Sequence, residues 1–218
     1  MTKARQTKSE LTRERILAAA TKVVGSVGYD KASITRIAAK AHIAAGGFYY
    51  YFDTRKELFD QLLPALGKEM IAFIAERLHG AEWGIEREVR SFEIYLEYLR
   101  KKPEFYRVFS EAYVYAPKAY EKHMQTVIDN YCAALRIQRL KGHLDVADDD
   151  LAMLAHFLIG IRNYVSQSYM ERGNQRSTPP ERTIDLYRRL LAGSVFRDAG
   201  KRDVRMDGHG RTGRLEHA

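Results

Sequence analysis

Apolar residues recur at intervals of three and four along almost the whole chain, and nowhere do they alternate over the length of a strand. That spacing turns one side of a helix inward at every turn, so it predicts helices and no sheet. Ile16, Ala20, Val23 and Val24 share one face of a first helix that begins near Ser9 and is expected to end at Gly25 and Gly28. Ser33 has the character of an N-cap for a short helix, ITRIAAKA, with Ile34, Ile37, Ala38 and Ala41 inward. A second short helix follows. Thr54 and Glu57 then stand at capping-box spacing ahead of a long helix striped by Leu58, Leu62, Leu66, Met70 and Phe73, in which Pro64 predicts a kink. Further helices are expected over 83–102, 103–115 and 117–140, then from a cap at Asp145 to Asp148 through Met170, and from Thr178 to about Phe196. The fold class is therefore all-α, with about nine helices.

Composition narrows the setting. Of 218 residues, 45% are apolar and 29% charged, an ordinary globular balance. No run approaches the length of a membrane span, and the basic N-terminus MTKARQTKSELTRER has no apolar segment behind it, which argues against a secretory signal. Cys132 stands alone, so no intrachain disulfide forms and a reducing cytoplasm is the simplest location. The net charge is +8, and the first sixty residues hold 11 Lys/Arg against 6 Asp/Glu. A positive end suggests a polyanionic partner, or simply a solvated basic surface. The stretch 197–218, glycine-rich and nearly free of apolar residues, is expected to be a mobile basic tail.

The segment HIAAGGFYYYF, residues 42–52, fits neither an exposed helix nor an ordinary loop. Two short helices joined by a tight turn, in a basic three-helix unit, are the layout of a helix-turn-helix. Small residues at Ala44, Ala45, Gly46 and Gly47 then let the backbone approach a major groove, while Tyr49 and Tyr51 offer hydroxyls to phosphates. Helix N-termini at Ser33 and Thr54 add amide donors. Phe48 lies within the DNA-facing run yet, with Phe52, suits the packing of the small core; Tyr50 suits either role.

The stretch from Gly28 to Leu58, GYDKASITRIAAKAHIAAGGFYYYFDTRKEL, resembles the signature of the TetR family of transcriptional repressors, over roughly residues 10–60. The resemblance implies a DNA-binding domain at 9–60, its helix-turn-helix at 33–52, and an effector-binding and dimerisation domain at 61–196. By matching position it implies phosphate contacts from Ser33, Tyr49 and Tyr51, and base-facing positions at Thr35, Arg36, Ala45 and Gly47. Arg55 stands where the family usually has lysine, beside the phosphates. His42 replaces the glycine of the turn and must either accept a near left-handed backbone or shift the turn geometry. Ala44 replaces the usual Ser/Thr, at a cost of ~1 kcal/mol of capping. Since Ala45 and Gly47 carry no hydrogen-bonding side chain, base choice leans on Arg36, Thr35, thymine methyl contacts and DNA shape.

Beyond residue 80, Leu151, Leu154, Leu158, Ile161 and Val165 repeat at the spacing of a seam between helices, with Gly160 permitting close approach. Tyr187 and Leu191, with Ile184, stripe the last helix similarly. These are candidate homodimer contacts, or simply faces of the protomer's own core. Phe92, Tyr95, Phe109, Tyr113, Tyr131, Phe157 and Tyr164 are candidates to line a ligand cavity with apolar walls and hydroxyl tips, suited to a small, mainly apolar or aromatic effector. Glu111, beside two of them, is a possible ligand contact or a surface charge. No nucleophile elbow or phosphate loop occurs, the histidines are scattered, and Asp148 to Asp150 suit a helix start better than a metal. The expectation is a non-enzymatic homodimer that binds a duplex operator and answers a small molecule, without cofactor or metal. The alternative is a constitutive DNA-binding protein with no effector cavity.

Overall fold

The structure, a computed structural model, describes residues 7–170 and 181–196. Helix α1 spans Lys8–Lys31, and Thr7 and Glu10 cap it reciprocally. It does not stop at Gly25. It runs through to Gly28, whose φ of 83° interrupts the helical path before one more turn. Gly25 has a different reason to be glycine: an added Cβ would lie 2.5 Å from the Cβ of Glu104 on a crossing helix. The glycine permits that close approach.

Helix α2 (Ile34–Lys40) starts at Ser33, whose hydroxyl accepts the Arg36 N–H. The following turn places His42 at φ 56°, the left-handed backbone that its position demands. Helix α3 (Ala45–Phe48) is short, and Ala44 ahead of it gives no side-chain cap. Helix α4 (Arg55–Arg77) is capped by Thr54, which accepts the Glu57 N–H at 3.0 Å. Pro64 lies inside it, yet the helix is continuous from end to end. Ile16, Ile37, Phe48 and Leu58 are fully enclosed between these four helices, and Phe52 nearly so. This small core fixes the two short helices.

The remaining elements are α5 (Ile85–Lys101), α6 (Glu104–Tyr115), α7 (Pro117–Leu140), α8 (Leu151–Met170) and α9 (Glu181–Ala192). All nine α-helices among the described residues fall close to the expected spans. The start of α8 differs. Ala147, with no side-chain cap, leads into a 3-10 turn over Asp148–Asp150. Asp148 is drawn aside by Arg139 at 3.4 Å and Arg136 at 3.6 Å. Phe196 lies past the end of α9, where it forms an isolated bridge with Leu144. The expected helix start at Thr178 and the expected tail at 197–218 lie outside the described residues. Among the described residues, no helix is long and apolar enough to cross a membrane.

Helix α4 belongs to both halves. Its first turns close the N-terminal core, and its later turns pack on α7 and α5, while α6 lies against α1. At the α4–α7 contact the His123 ring nearly touches Gly67, where a Cβ would sit 2.2 Å from Nδ1. The ring meets Phe105 and Phe109 at angles of 64° and 71°. Burial pushes the His123 pKa down to about 4. The unfolded chain therefore takes up this proton near pH 6.5 and the folded chain only near pH 4, so stability falls as pH drops through that window. The wild type should lose up to ~1.4 kcal/mol per pH unit more than His123→Leu between those limits, and the two should run parallel below pH 4. Urea midpoints at several pH values check this, and parallel curves throughout would show that His123 does not titrate there.

Candidate functional site

The N-terminal surface is organised by what the small core leaves outside. Ser33, Thr35, Arg36, Ala44, Ala45 and Tyr49 are exposed, and Gly47 and Tyr51 are half-buried. The short helices bring them to one region of the molecule. Tyr50 is the most open of the three tyrosines at 82%, and its ring meets Tyr51 edge-on at 5.3 Å. It belongs to the outward set. Two sequence-expected contacts do not. Phe48 is completely buried and stacks on Phe52 at 5.6 Å, because α3 needs an anchor and has only this one. Arg55 donates to the carbonyls of Tyr29 and Asp30 and lies over the Phe59 ring at 4.8 Å. Those bonds hold the α1–α2 corner onto α4.

Gly46 and Gly47 are informative in the opposite way from Gly25. A Cβ at either would meet nothing within 4 Å, and neither has a positive φ. The protein's own packing gives no reason for glycine here.

A cavity of about 240 Å³ lies among α4, α5, α6, α7 and α8. Of the aromatics expected to line it, Tyr95, Phe109 and Tyr131 do. Phe92 is fully buried away from its wall, edge-on to Tyr187 at 5.0 Å. Tyr113 is exposed, and lines an adjoining cleft that shares Tyr95, Phe105, Phe109 and Asn163 with the cavity. Phe157 and Tyr164 are exposed at 61% and 75%, on the opposite side of α8. Sequence reasoning missed Met70, Trp83, Phe105, His123 and Arg162, all on the wall. By spacing Met70 belongs to the core stripe of α4, and no periodicity separates a cavity wall from a core.

The wall has one strongly polar place. Glu88 and Arg162 are both buried, and form an ion pair at 2.6 Å. The same Glu88 oxygen accepts the Tyr131 hydroxyl and, at 2.7 Å, the Tyr187 hydroxyl. Arg162 also donates to the Glu88 carbonyl at 3.0 Å and to Ser91 at 3.2 Å. Burial opposes its charge, but Glu88 beside it more than compensates, so the guanidinium stays protonated. Burial likewise pushes the Tyr95 hydroxyl up to about 12, and that hydroxyl donates to Asn163 at 3.1 Å.

The expected seam on α8 and α9 belongs to the protomer's interior. Leu151, Leu158, Tyr187 and Leu191 are buried, and Leu154, Ile161 and Val165 pack partly buried against the same core. Helix α8 has a second apolar stripe at the same spacing, and the stronger one hid it. Met153, Phe157 and Tyr164 are exposed, with Gly160 between them, as are Leu186 and Leu190 on α9.

Helix α6 joins the two halves. Phe105 and Phe109 line the cavity. On another side of the helix, Glu111 accepts the Tyr29 N–H at 2.8 Å, and Arg107 donates to Glu111 at 2.6 Å and to the Ser26 carbonyl at 2.8 Å. Glu111 is therefore a structural link to the end of α1, and is absent from the cavity wall.

Residues 16–62 match the family model described as bacterial regulatory proteins, tetR family. The HTH-type transcriptional regulator YvdT of Bacillus subtilis (strain 168) is 42% identical over 69 residues, 32% of this chain and 36% of that protein. The match thus spans about a third of that relative. The fatty acid degradation regulator FadR from Bacillus halodurans has a similar fold, with a TM-score of 0.72 at 17% identity over 86% of this chain and 96% of that one. A TetR-family regulator from Mesorhizobium loti superposes with a TM-score of 0.72 at 21% identity, over 86% and 98% of the two chains. A transcriptional regulator from Saccharomonospora viridis, in complex with choline, gives 0.69 at 17% identity over 87% and 100%.

Replacing Gly46 or Gly47 by alanine should stabilise the free protein by ~0.5–1 kcal/mol each, since both are helical and unobstructed. The same changes should weaken DNA binding at least tenfold if the backbone there lies against DNA. Urea unfolding and fluorescence anisotropy on duplex DNA read the two effects separately. Unchanged DNA affinity in both variants would remove α3 from the contact surface.

Proposed function

We propose that this chain, a tetR-family transcriptional regulator by its N-terminal domain, acts as a homodimeric repressor that a small molecule releases from its operator. The observation that carries the regulatory part is the two-sided use of α6. One side of that helix forms cavity wall, and another holds the turn that precedes the helix-turn-helix. A ligand filling the cavity would press on Phe105 and Phe109, and a displaced α6 takes Ser26 and Tyr29 with it through Arg107 and Glu111. The ligand acts through its different affinity for the two placements of α6, and DNA must affect ligand binding by the same factor. A constitutive DNA-binding protein would need the N-terminal unit but neither the cavity nor this linkage.

DNA contact is assigned to the exposed N-terminal surface. Ser33, Tyr49, Tyr50 and Tyr51 offer hydroxyls to phosphates, and Arg36 and Thr35 face bases beside the small residues Ala44, Ala45 and Gly47. Arg36 is partly occupied, since its guanidinium donates to the Lys31 carbonyl at 3.1 Å. Such a protein works at the chromosome, in the cytoplasm. The reading is of a regulator and not of an enzyme.

Dimerisation is assigned to the second stripe of α8 with α9. Met153, Phe157 and Tyr164 on α8, and Leu186 and Leu190 on α9, are left in water, and exposed apolar stripes are the usual mark of a partner surface. A twofold axis there would set two recognition helices about 34–36 Å apart, one turn of DNA.

Two outcomes test this. Selection from a random duplex pool by the full chain should return near-palindromic sites with half-sites about one turn apart, bound with steep salt dependence. Return of unrelated sequences would defeat the operator reading. Phe157→Glu combined with Leu190→Glu should yield a folded monomer by light scattering and circular dichroism, with operator affinity reduced at least a hundredfold. Leu158→Glu should instead unfold the protomer, because that side chain is already buried. A Phe157/Leu190 variant that remains dimeric would move the interface elsewhere.

A further inference from the structure

The charge of the cavity wall says more about the ligand than its aromatic character does. This step rests on the effector reading above and sharpens it. Three ionised side chains line the cavity, namely Arg87, Glu88 and Arg162. His123, the remaining titratable base there, is neutral at physiological pH, its pKa pushed down by burial. The wall therefore carries two guanidiniums against one carboxylate.

The carboxylate's charge is already paired. One Glu88 oxygen receives Arg162, Tyr131 and Tyr187 together. A quaternary ammonium, such as the choline in one structural neighbour, would meet a carboxylate already neutralised by Arg162, and beyond it only aromatic faces. The positive groups are less fully used. Arg87 donates to the carbonyls of Leu78 and Ala81, both at 2.9 Å, and stacks over Trp83 at 4.2 Å. Two neutral carbonyls accept from one terminal nitrogen and a ring lies under the guanidinium, but among the described residues no carboxylate pairs with it. Arg162 keeps a buried Nε–H that has no acceptor among the described residues, and an unsatisfied buried donor is costly. Both observations point to a ligand that brings an acceptor and a negative charge.

We propose that the cavity takes an amphipathic carboxylate: an elongated apolar body with an anionic oxygen group that offsets the wall's surplus positive charge and accepts from Arg162. The apolar body lies along Met70, Ile74, Phe105, Phe109 and Val127, where no charge needs a partner. The head is a carboxylate and not a phosphate ester, because a second negative charge would exceed the single positive surplus.

The test displaces Nile red, an uncharged apolar dye, from the full-length protein with three probes of one chain length: decanoate, decanamide and decyltrimethylammonium, each below its micelle concentration. Val127→Trp, which fills the cavity, reports whether the dye sits there. The expected result is dye binding that Val127→Trp abolishes, and displacement by decanoate about tenfold stronger than by decanamide, with the ammonium weakest. Arg87→Gln should remove most of the decanoate–decanamide difference while decanamide affinity holds, a change that loss of folding would not produce. In protein labelled with ¹⁵N-arginine, decanoate should shift the Arg162 Nε–H resonance and the ammonium should not. If the dye is displaced equally by all three probes, or best by the ammonium, the charge assignment is overturned and the cavity stands. If dye binding is indifferent to Val127→Trp, the cavity is not a binding site, and the effector reading falls with the inference.

Discussion

The C-terminal half is organised around one carboxylate. Glu88 lies on α5, Tyr131 on α7, Arg162 on α8 and Tyr187 on α9, and all three partners converge on the same oxygen. Taking an ion pair out of water costs several kcal/mol per ion, so such a cluster is no simple source of stability. Its effect is geometric. An apolar core tolerates sliding of one helix along another, whereas three directed bonds to one atom allow a single relative placement of four helices. Removing any one partner leaves a buried charge or hydroxyl without its complement. The cluster also stands between the cavity and α9, since Tyr131 belongs to the cavity wall and Tyr187 to the helix that bears Leu186 and Leu190. Cavity shape and the proposed dimer surface therefore share a fixed reference point.

The features legible in the sequence are those that local chemistry decides. Ser33 and Thr54 cap their helices because a hydroxyl ahead of an orphan N–H has little else to do. His42 takes the left-handed backbone, so the turn between α2 and α3 keeps its geometry without a glycine. The small residues of α3 look outward for the same kind of reason. Where a residue's role depends on which distant element packs beside it, the sequence is silent. Phe92 and Tyr95 sit three residues apart on α5, yet one is in the closed core against Tyr187 and the other on the cavity wall beside Asn163. Leu158 and Phe157 are adjacent, and point to the protomer core and to solvent respectively. Helix α8 has apolar stripes on two faces, and periodicity alone cannot say which is inner. Arg55 shows the same limit for charge: the sequence suggests a free cation for phosphates, but the carbonyls of Tyr29 and Asp30 hold it.

Two rigid elements connect the cavity with the N-terminal unit, and they are not equivalent. Helix α6 meets α1 through specific contacts: Gly25 against Glu104, Ser26 with Arg107, and Tyr29 with Glu111. Helix α4 is continuous, with Leu58 in the small core and Met70 and Ile74 on the cavity wall. A straight, fully bonded α4 would brace the two halves against relative movement. Pro64 weakens that brace between them, because it has no N–H to return to the Asp60 carbonyl. The missing bond makes bending there less costly than elsewhere in α4, without the helix needing to be bent at rest. Movement of α6 against the end of α1 thus meets its least resistance about this proline. If the proposed ligand response moves α6, the α6–α1 contacts would set the direction of the shift, and Pro64 would set where α4 gives way to it.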